Sequence, residues 1–278
     1  DVVLCESPSY LGALNAFNAY QPKFVEVPTD NGGLIPEELD KILETTPNCK
    51  FIYVIPDFQN PTGRTWSMER RQKFMEVVNK HNLPVLEDNP YGELRYEGTI
   101  LPSLKSMDTK GLVMFLGTFS KIFCPGLRLG WIAAEHSLLS EFVKIKQSAD
   151  LHTSNFDQGV ADAYMEQYDL DEHVKEIVAL YKHRRDLILE SMEKYFPAGT
   201  EWTHPEGGLF LWLTFPEGVS ARKVFNKCIE MKVTGVIGDA FYPNQKTDRS
   251  MRINYSNMPD DRIVEGIQRM AKAIKECM

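Results

Sequence analysis

Residues 117–131 read GTFSKIFCPGLRLGW, which puts Thr118 and Ser120 just ahead of a lone lysine, Lys121, and delivers Arg128 seven residues later. A lysine amine kept from full protonation by its setting is a nucleophile towards a carbonyl carbon. Hydroxyls beside an arginine able to make bidentate contacts suit a phosphate dianion. Two further stretches carry complementary groups: DFQNPTG (57–63) offers the Asn60 amide, and EDNPYGELRY (87–96) offers the Asp88 carboxylate and the Tyr91 phenol. A carboxylate can hold a proton on a ring nitrogen, while an amide and a phenol can hydrogen-bond a ring oxygen. Each residue also has an ordinary reading. Asp88 can cap a turn, Asn60-Pro61-Thr62-Gly63 is favourable turn chemistry, and Tyr91 can be half-buried packing. A lysine or arginine near a strand end is most often a solvated charge. The chemical reading therefore depends on one fold bringing these residues to one place.

Short apolar runs supply the framework for that: 2–7, 23–28, 50–56, 83–88, 112–119 and 127–134. Most are continuous rather than alternating, the pattern of strands covered on both faces. Helical patterns separate several of them. Residues 36–44 start with Pro36 at a first helical position, and 67–80 start with Ser67 as an N-cap. Alternating strands and helices predict an α/β fold with a mostly parallel sheet flanked by helices. Beyond about residue 170 the pattern changes to a long helix over 171–196, strand-like stretches at 207–215, 233–238 and 251–256, and helices at 221–231 and 260–277. This predicts a large domain over 1–169 and a smaller C-terminal α+β domain over 170–278. In an open parallel sheet, ligands bind beyond the carboxyl ends of the strands. Strand 50–56 leads to Asn60, strand 83–88 ends at Asp88, and strand 112–119 leads to Thr118, Ser120 and Lys121.

One ligand meets the whole set: it has an aldehyde for the lysine, a ring nitrogen for the carboxylate, a phenolic oxygen for the amide and phenol, and a phosphate for the hydroxyls and arginine. Pyridoxal 5'-phosphate has these four groups. TFSK with GLRLGW, together with NPTG and EDNPYGELRY, resembles the class I/II aminotransferases of the fold-type I pyridoxal-phosphate superfamily. Within it, the sequence is most similar to the branch of the 2-aminoadipate and kynurenine aminotransferases. The likeness runs from ESPSYLGAL (6–14) through HPEGGLFLWL (204–213) to MRINYSN (251–257), nearly the whole chain.

The resemblance implies a role for each residue. Lys121 forms the Schiff base with the cofactor and moves the proton between substrate Cα and cofactor C4′. Asp88 pairs with the pyridine nitrogen, Asn60 and Tyr91 hold the ring oxygen, and Tyr10 stacks on the ring. Thr118, Ser120 and Arg128 hold the phosphate, and Arg252, with Asn60 beside it, binds the substrate α-carboxylate. Transamination between an L-amino acid and a 2-oxo acid follows, carried out by a homodimer. Relatives also have a preceding segment with a Gly-Ser-Gln-type phosphate contact, a first sheet strand and an N-terminal arm. Here residue 1 is Asp and DVVLCESP reads as a strand at once, so that segment, first strand included, is expected to lie outside this sequence. Cys124, where relatives carry a small residue, reads as packing beside the site.

Composition narrows the alternatives. The 278 residues are 43% hydrophobic and 25% charged, as in a globular protein with a sizeable core, and the net charge is −8. That balance argues against nucleic acid or an anionic membrane surface as the main partner. Five scattered cysteines (Cys5, Cys49, Cys124, Cys228, Cys277) without a C-x-x-C, and six histidines without ligand spacing, point to a reducing cytoplasm and no metal site. No apolar stretch reaches membrane-spanning length. Two other functions share the constellation. One is the aminotransferase-like effector domain of a winged-helix transcription regulator, against which the intact NPTG, the EDNPYG tyrosine and Arg252 count. The other is a pyridoxal-phosphate lyase or decarboxylase, which uses the same lysine and aspartate for a different reaction.

Overall fold

The first half of the chain alternates strand and helix. In the computed structural model, which describes residues 1–244 and 247–278, these elements are β1 (Val2–Glu6), α1 (Leu11–Asn18), β2 (Lys23–Val27), a hairpin of β3 (Thr29–Asp30) and β4 (Gly33–Leu34), α2 (Pro36–Thr45), β5 (Cys49–Val54), α3 (Met68–His81), β6 (Val85–Asp88), α4 (Leu104–Met107), β7 (Val113–Thr118) and β8 (Gly130–Ala133). Pro36 opens α2, and the Ser67 hydroxyl caps α3 by accepting the Arg70 N–H. The sheet has the order β2-β1-β5-β6-β7-β8, with only β8 antiparallel to its neighbour. The expected mostly parallel α/β fold is the one observed.

Side chains alternate across this sheet. Leu4, Ile52, Val54, Val85 and Val113 face one side, where Leu39 of α2, Phe74 and Val78 of α3 and Leu104 of α4 cover them. Phe51, Tyr53 and Leu86 face the other side, against Phe17 of α1 and Tyr91. Each fully buried aliphatic or aromatic side chain contributes about 1.5–3 kcal/mol through removal of apolar surface from water.

The second half comprises α5 (His136–Ala149), α6 (Asn155–Gln167), α7 (Leu170–Tyr195), β9 (Glu201–Trp202), β10 (Phe210–Thr214), α8 (Ala221–Glu230), β11 (Val236–Ile237), β12 (Ser250–Asn254) and α9 (Asp260–Cys277). Its four strands form an antiparallel sheet in the order β11-β12-β10-β9. Leu211 and Leu213 of β10 pack with Met192 of α7, Val224 of α8 and Ile267 and Ile274 of α9. Helix α7 belongs to both cores: Val174, Ile177 and Tyr181 lie on the first sheet, and Ile188 and Met192 on the second.

Several local expectations change. The stretch 23–28 is an edge strand in which only Val27 is buried, because β2 has a neighbour on one side only. The apolar run 127–134 is not one strand. Pro125–Leu127 forms a single 3₁₀ turn, Arg128 takes a left-handed conformation (φ 56°), and β8 starts only at Gly130. In 233–238 only Val236–Ile237 pairs. Helices α1, α5 and α6 carry no strong sequence signature. No residue of α5 and only Ala161 of α6 is buried, so neither helix has the apolar stripe that marks a covered face. Among the described residues no helix is long and apolar enough to cross a membrane, and no group of three or more His, Cys, Asp or Glu side chains is arranged to hold a metal ion.

Candidate active site

The carboxyl ends of β5, β6 and β7 lie side by side, and the chemistry-bearing residues follow from them. Asp88 pairs in register with Leu116, two residues before Thr118, so these side chains share a sheet face. Tyr53 on β5 is on that face too, since its partner on β6 is Leu86. The Tyr53 hydroxyl donates to Asp88 Oδ2 at 2.5 Å. Burial raises the Asp88 carboxyl above the usual range, and the Tyr53 bond offsets part of that. No hydrogen bond to Asp88 Oδ1 is formed among the described residues.

Asn60 sits in a tightly bonded loop after β5. Gln59 N donates to Arg64 O at 2.8 Å, Gly63 N donates to Gln59 O at 2.6 Å, and Trp66 N donates to Pro56 O at 2.9 Å. Gly63 has φ +70°, and a Cβ there would lie 2.4 Å from Phe210 O, so the turn requires glycine on both counts. Asn60 is 3% exposed. Its Nδ2 donates to the Tyr91 hydroxyl at 3.3 Å, and its Oδ1 accepts from Arg252 Nη1 at 2.8 Å. Residues on β6's exit loop, the β5 loop and β12 are thus joined through one amide. Burial keeps the Tyr91 phenol protonated well above its ordinary pKa.

Arg252 projects from β12 with its guanidinium 4.1 Å from the Phe210 ring centroid and 5.1 Å from that of Phe241. It makes no salt bridge among the described residues. Burial pulls its pKa down, while the Tyr91 and Tyr10 hydroxyls are near enough to act in the opposite direction. Tyr10, at the start of α1, is 36% exposed and curls over Gly12, where a Cβ would lie 2.5 Å from the phenol.

Lys121 is half-buried in the turn after β7. Burial first, then the Arg128 and Arg252 guanidinium groups, lower its pKa below the usual lysine range, and no carboxylate is among the groups acting on it. The Thr118 and Ser120 hydroxyls lie 3.0 Å apart, and Thr118 Oγ1 also contacts Leu129 O at 3.0 Å and accepts the Ser120 N–H. Arg128 reaches the neighbourhood of Lys121 electrostatically, but its Nη1 donates to Pro125 O at 3.0 Å and it makes no hydrogen bond to Thr118 or Ser120. Its left-handed backbone costs about 1–2 kcal/mol for a residue with a Cβ. Such conformations concentrate at functional sites.

The structure therefore joins Asn60, Tyr91 and Arg252 by hydrogen bonds, sets the Arg252 charge near enough to act on Lys121, and bonds Asp88 at the end of β6 to Tyr53 of β5. Tyr53, Phe210 and Phe241 carry no distinguishing signal in the sequence. Only strand register, which sets Tyr53 on the Asp88 face, brings the first of them into the site.

Comparison with known proteins agrees with this geometry. Residues 1–270 match the family model for aminotransferase class I and II. The chain is 42% identical over its whole length to aromatic-amino-acid aminotransferase 1 of Thermococcus litoralis, of which it spans 68%. It is 33% identical to the 2-aminoadipate transaminase of Thermus thermophilus, over 98% of this chain and 69% of that one. A crystal structure of Pyrococcus horikoshii kynurenine aminotransferase superposes with a TM-score of 0.96 at 41% identity, over 99% of this chain and 69% of that one. With a strand-end lysine, a carboxylate one strand away and a match along nearly every residue, this chain belongs to the class I and II aminotransferases.

Proposed function

We propose that the chain moves an amino group from an L-amino acid to a 2-oxo acid with pyridoxal 5'-phosphate as cofactor. The observation that carries this is Lys121: a half-buried amine beside two guanidinium groups, with its pKa lowered, one strand away from a carboxylate that keeps one oxygen open. The donor set fits the cofactor group by group. Pyridoxal phosphate, when bound, supplies an aldehyde carbon and a ring that draws electrons from the substrate Cα.

The residues then act as follows. Lys121, whose amine is shifted towards its uncharged form by burial and by the Arg128 and Arg252 charges, would hold the cofactor's aldehyde carbon and would carry a proton between the substrate Cα and the cofactor's C4′. Asp88 Oδ1 would hold a proton on the ring nitrogen, while Tyr53 donates to Oδ2. The Tyr91 hydroxyl and Asn60 Nδ2 would donate towards the ring oxygen, and Tyr10 would lie against the ring face. Thr118, Ser120 and Arg128 provide hydroxyl and guanidinium donors for the phosphate. Arg252, held by Asn60 and two aromatic rings but by no carboxylate, has donors left for the substrate's α-carboxylate. The exposed apolar side chains of Val143, Ile145, Leu151 and Phe156 support a homodimer, and five free cysteines support a cytoplasmic setting.

The test is the visible absorbance of protein loaded with pyridoxal phosphate, compared between wild type and Lys121→Ala, followed by turnover with amino donors and 2-oxoglutarate. Wild type should show a lysine–cofactor band that the variant lacks, and turnover should require the oxo acid. An identical band in both would overturn the assignment of Lys121. Product formation without any oxo acid would move the reaction to elimination or decarboxylation.

A further inference from the structure

Glu6 ends β1 and is 1% exposed. Its carboxylate makes no ion pair among the described residues, which is costly for a buried charge. Both oxygens nevertheless have donors. Oε2 accepts from Ile55 N at 3.0 Å and from Gln59 Nε2 at 3.4 Å, and Oε1 accepts from Trp66 Nε1 at 3.3 Å. These three donors stand at the start, middle and end of the loop that follows β5.

Asn60 is the next residue after Gln59. Gln59 is itself 2% exposed, and its amide is fully used: Nε2 also donates to Pro8 O at 2.8 Å, while Oε1 accepts from Thr62 N and Thr62 Oγ1. The contact with Pro8 ties the loop to the turn that carries Tyr10. From Gln59 the path continues through Asn60 to the Tyr91 hydroxyl and to Arg252.

We propose that Glu6 is a positioning residue, whose carboxylate fixes the 55–66 loop at three points and, through Gln59, aims the Asn60 amide at Tyr91 and Arg252. A carboxylate is the side chain suited to this task, because it offers two acceptor oxygens and no donor to three converging N–H groups. An amide of the same shape must turn its NH2 towards one of those N–H groups and lose it. Burial lifts the Glu6 carboxyl to about 7, while the Ile55, Gln59 and Trp66 N–H donors pull in the opposite direction by favouring the charged form. The proposal rests on reading Asn60 as a ligand of the cofactor's ring oxygen.

The experiment is a double-mutant cycle in the holoenzyme with Glu6→Gln, Asn60→Ala and both together. Two readouts are followed: kcat/KM with an amino donor and 2-oxoglutarate, and the pH midpoint of the bound cofactor's visible band. Glu6→Gln should lower kcat/KM roughly tenfold, as a small misplacement of a positioning group does. It should move the band midpoint in the same direction as Asn60→Ala, and the double variant should be no worse than Asn60→Ala alone. Gln59→Met, which breaks the path but keeps the Glu6 contacts to Ile55 and Trp66, should shift the midpoint the same way and covers the case in which Glu6→Gln fails to fold. Losses that multiply in the double variant, or a wild-type midpoint in Glu6→Gln, overturn the role of Glu6 alone. A wild type without any cofactor band overturns both this proposal and the reading of the site.

Discussion

Arg71 and Arg252 are both arginines drawn into the protein, and they are satisfied in opposite ways. Arg71, on α3, is fully buried beneath the helix-covered face of the large sheet. It pairs with Asp57 at 2.7 Å and donates to the carbonyls of Trp66, Pro56 and Pro102. Arg252 has one amide oxygen and two ring faces, and no carboxylate among the described residues. The carboxylates of β6 repeat the contrast on consecutive residues. Glu87 points to the helix-covered face, where its oxygens accept the Leu104 and Lys105 N–H groups at 2.8 Å each. Asp88 points to the other face, with one oxygen held by Tyr53 and the other open. The chain completes the charges that hold the scaffold. Those facing the crevice are left partly unpaired among the described residues, as the proposed ligand requires.

The largest effects should come from the two arginines. Arg71→Met leaves Asp57 buried beside a single weaker partner, Arg95 at 3.4 Å. Breaking a buried pair in this way costs about 3–5 kcal/mol. The melting temperature should fall by roughly 10 °C. Arg252→Met should lower the melting temperature by only about 2–5 °C, because the partner it orphans is an amide oxygen, Asn60 Oδ1, and not a buried carboxylate. It should lower kcat/KM for amino acids about a hundredfold while sparing an amine that has no α-carboxylate, since one charge-assisted contact to substrate is lost. Equal destabilisation by both variants would remove the distinction between scaffold and site.

The carboxylates give the next effect through pH. Burial raises Glu87 from 4.5 to about 7, against the opposing pull of its N–H donors. The native state therefore binds more protons than the unfolded chain between those values, and stability falls as pH rises through the window from about 4.5 to 7. The limiting change is about 3 kcal/mol, flat below and above the window. Glu6, also near 7, and Asp88 slope in the same direction. Urea unfolding from pH 5 to 7.5 should show that decline in the cofactor-free protein and a clearly smaller one in Glu87→Gln. An unchanged slope would mean that Glu87 is not the buried acid described here.

The sequence makes the crevice side of this contrast legible and leaves the scaffold side nearly invisible. Asn60, Asp88, Thr118 and Lys121 follow apolar runs directly, and turn residues mark where those runs stop. Arg252 stands out as a charge within a strand-like stretch. Glu6, Glu87 and Arg71 look like surface charges, because their backbone and side-chain partners come from loops whose paths no local pattern specifies. Tyr53 looks like any core aromatic in KFIYVIP until register places it against Asp88. The break at Pro125–Arg128 is hidden because LRLGWIAA is apolar enough to pass for one strand, while a 3₁₀ turn and a left-handed residue are backbone events. Helix α7 obscures any boundary by contributing one half to each core.

The smallest effect tests the hinge of the comparison, Tyr53, which has its ring in the scaffold and its hydroxyl in the site. Tyr53→Phe keeps the ring and its edge contacts with Phe17, whose centroid lies 5.6 Å away. Stability should change by no more than about 1 kcal/mol, the net worth of one hydrogen bond. The site should respond differently. Asp88 stays buried but loses the donor that favours its charged form, so its carboxyl shifts further upward. A carboxylate that protonates more readily holds the ring nitrogen's proton less firmly. The acid limb of the kcat profile should therefore move to higher pH, with a several-fold loss of kcat near neutrality. Both limbs unmoved in Tyr53→Phe would show that Asp88 is set by burial alone, and that Tyr53 belongs with the scaffold despite its contact.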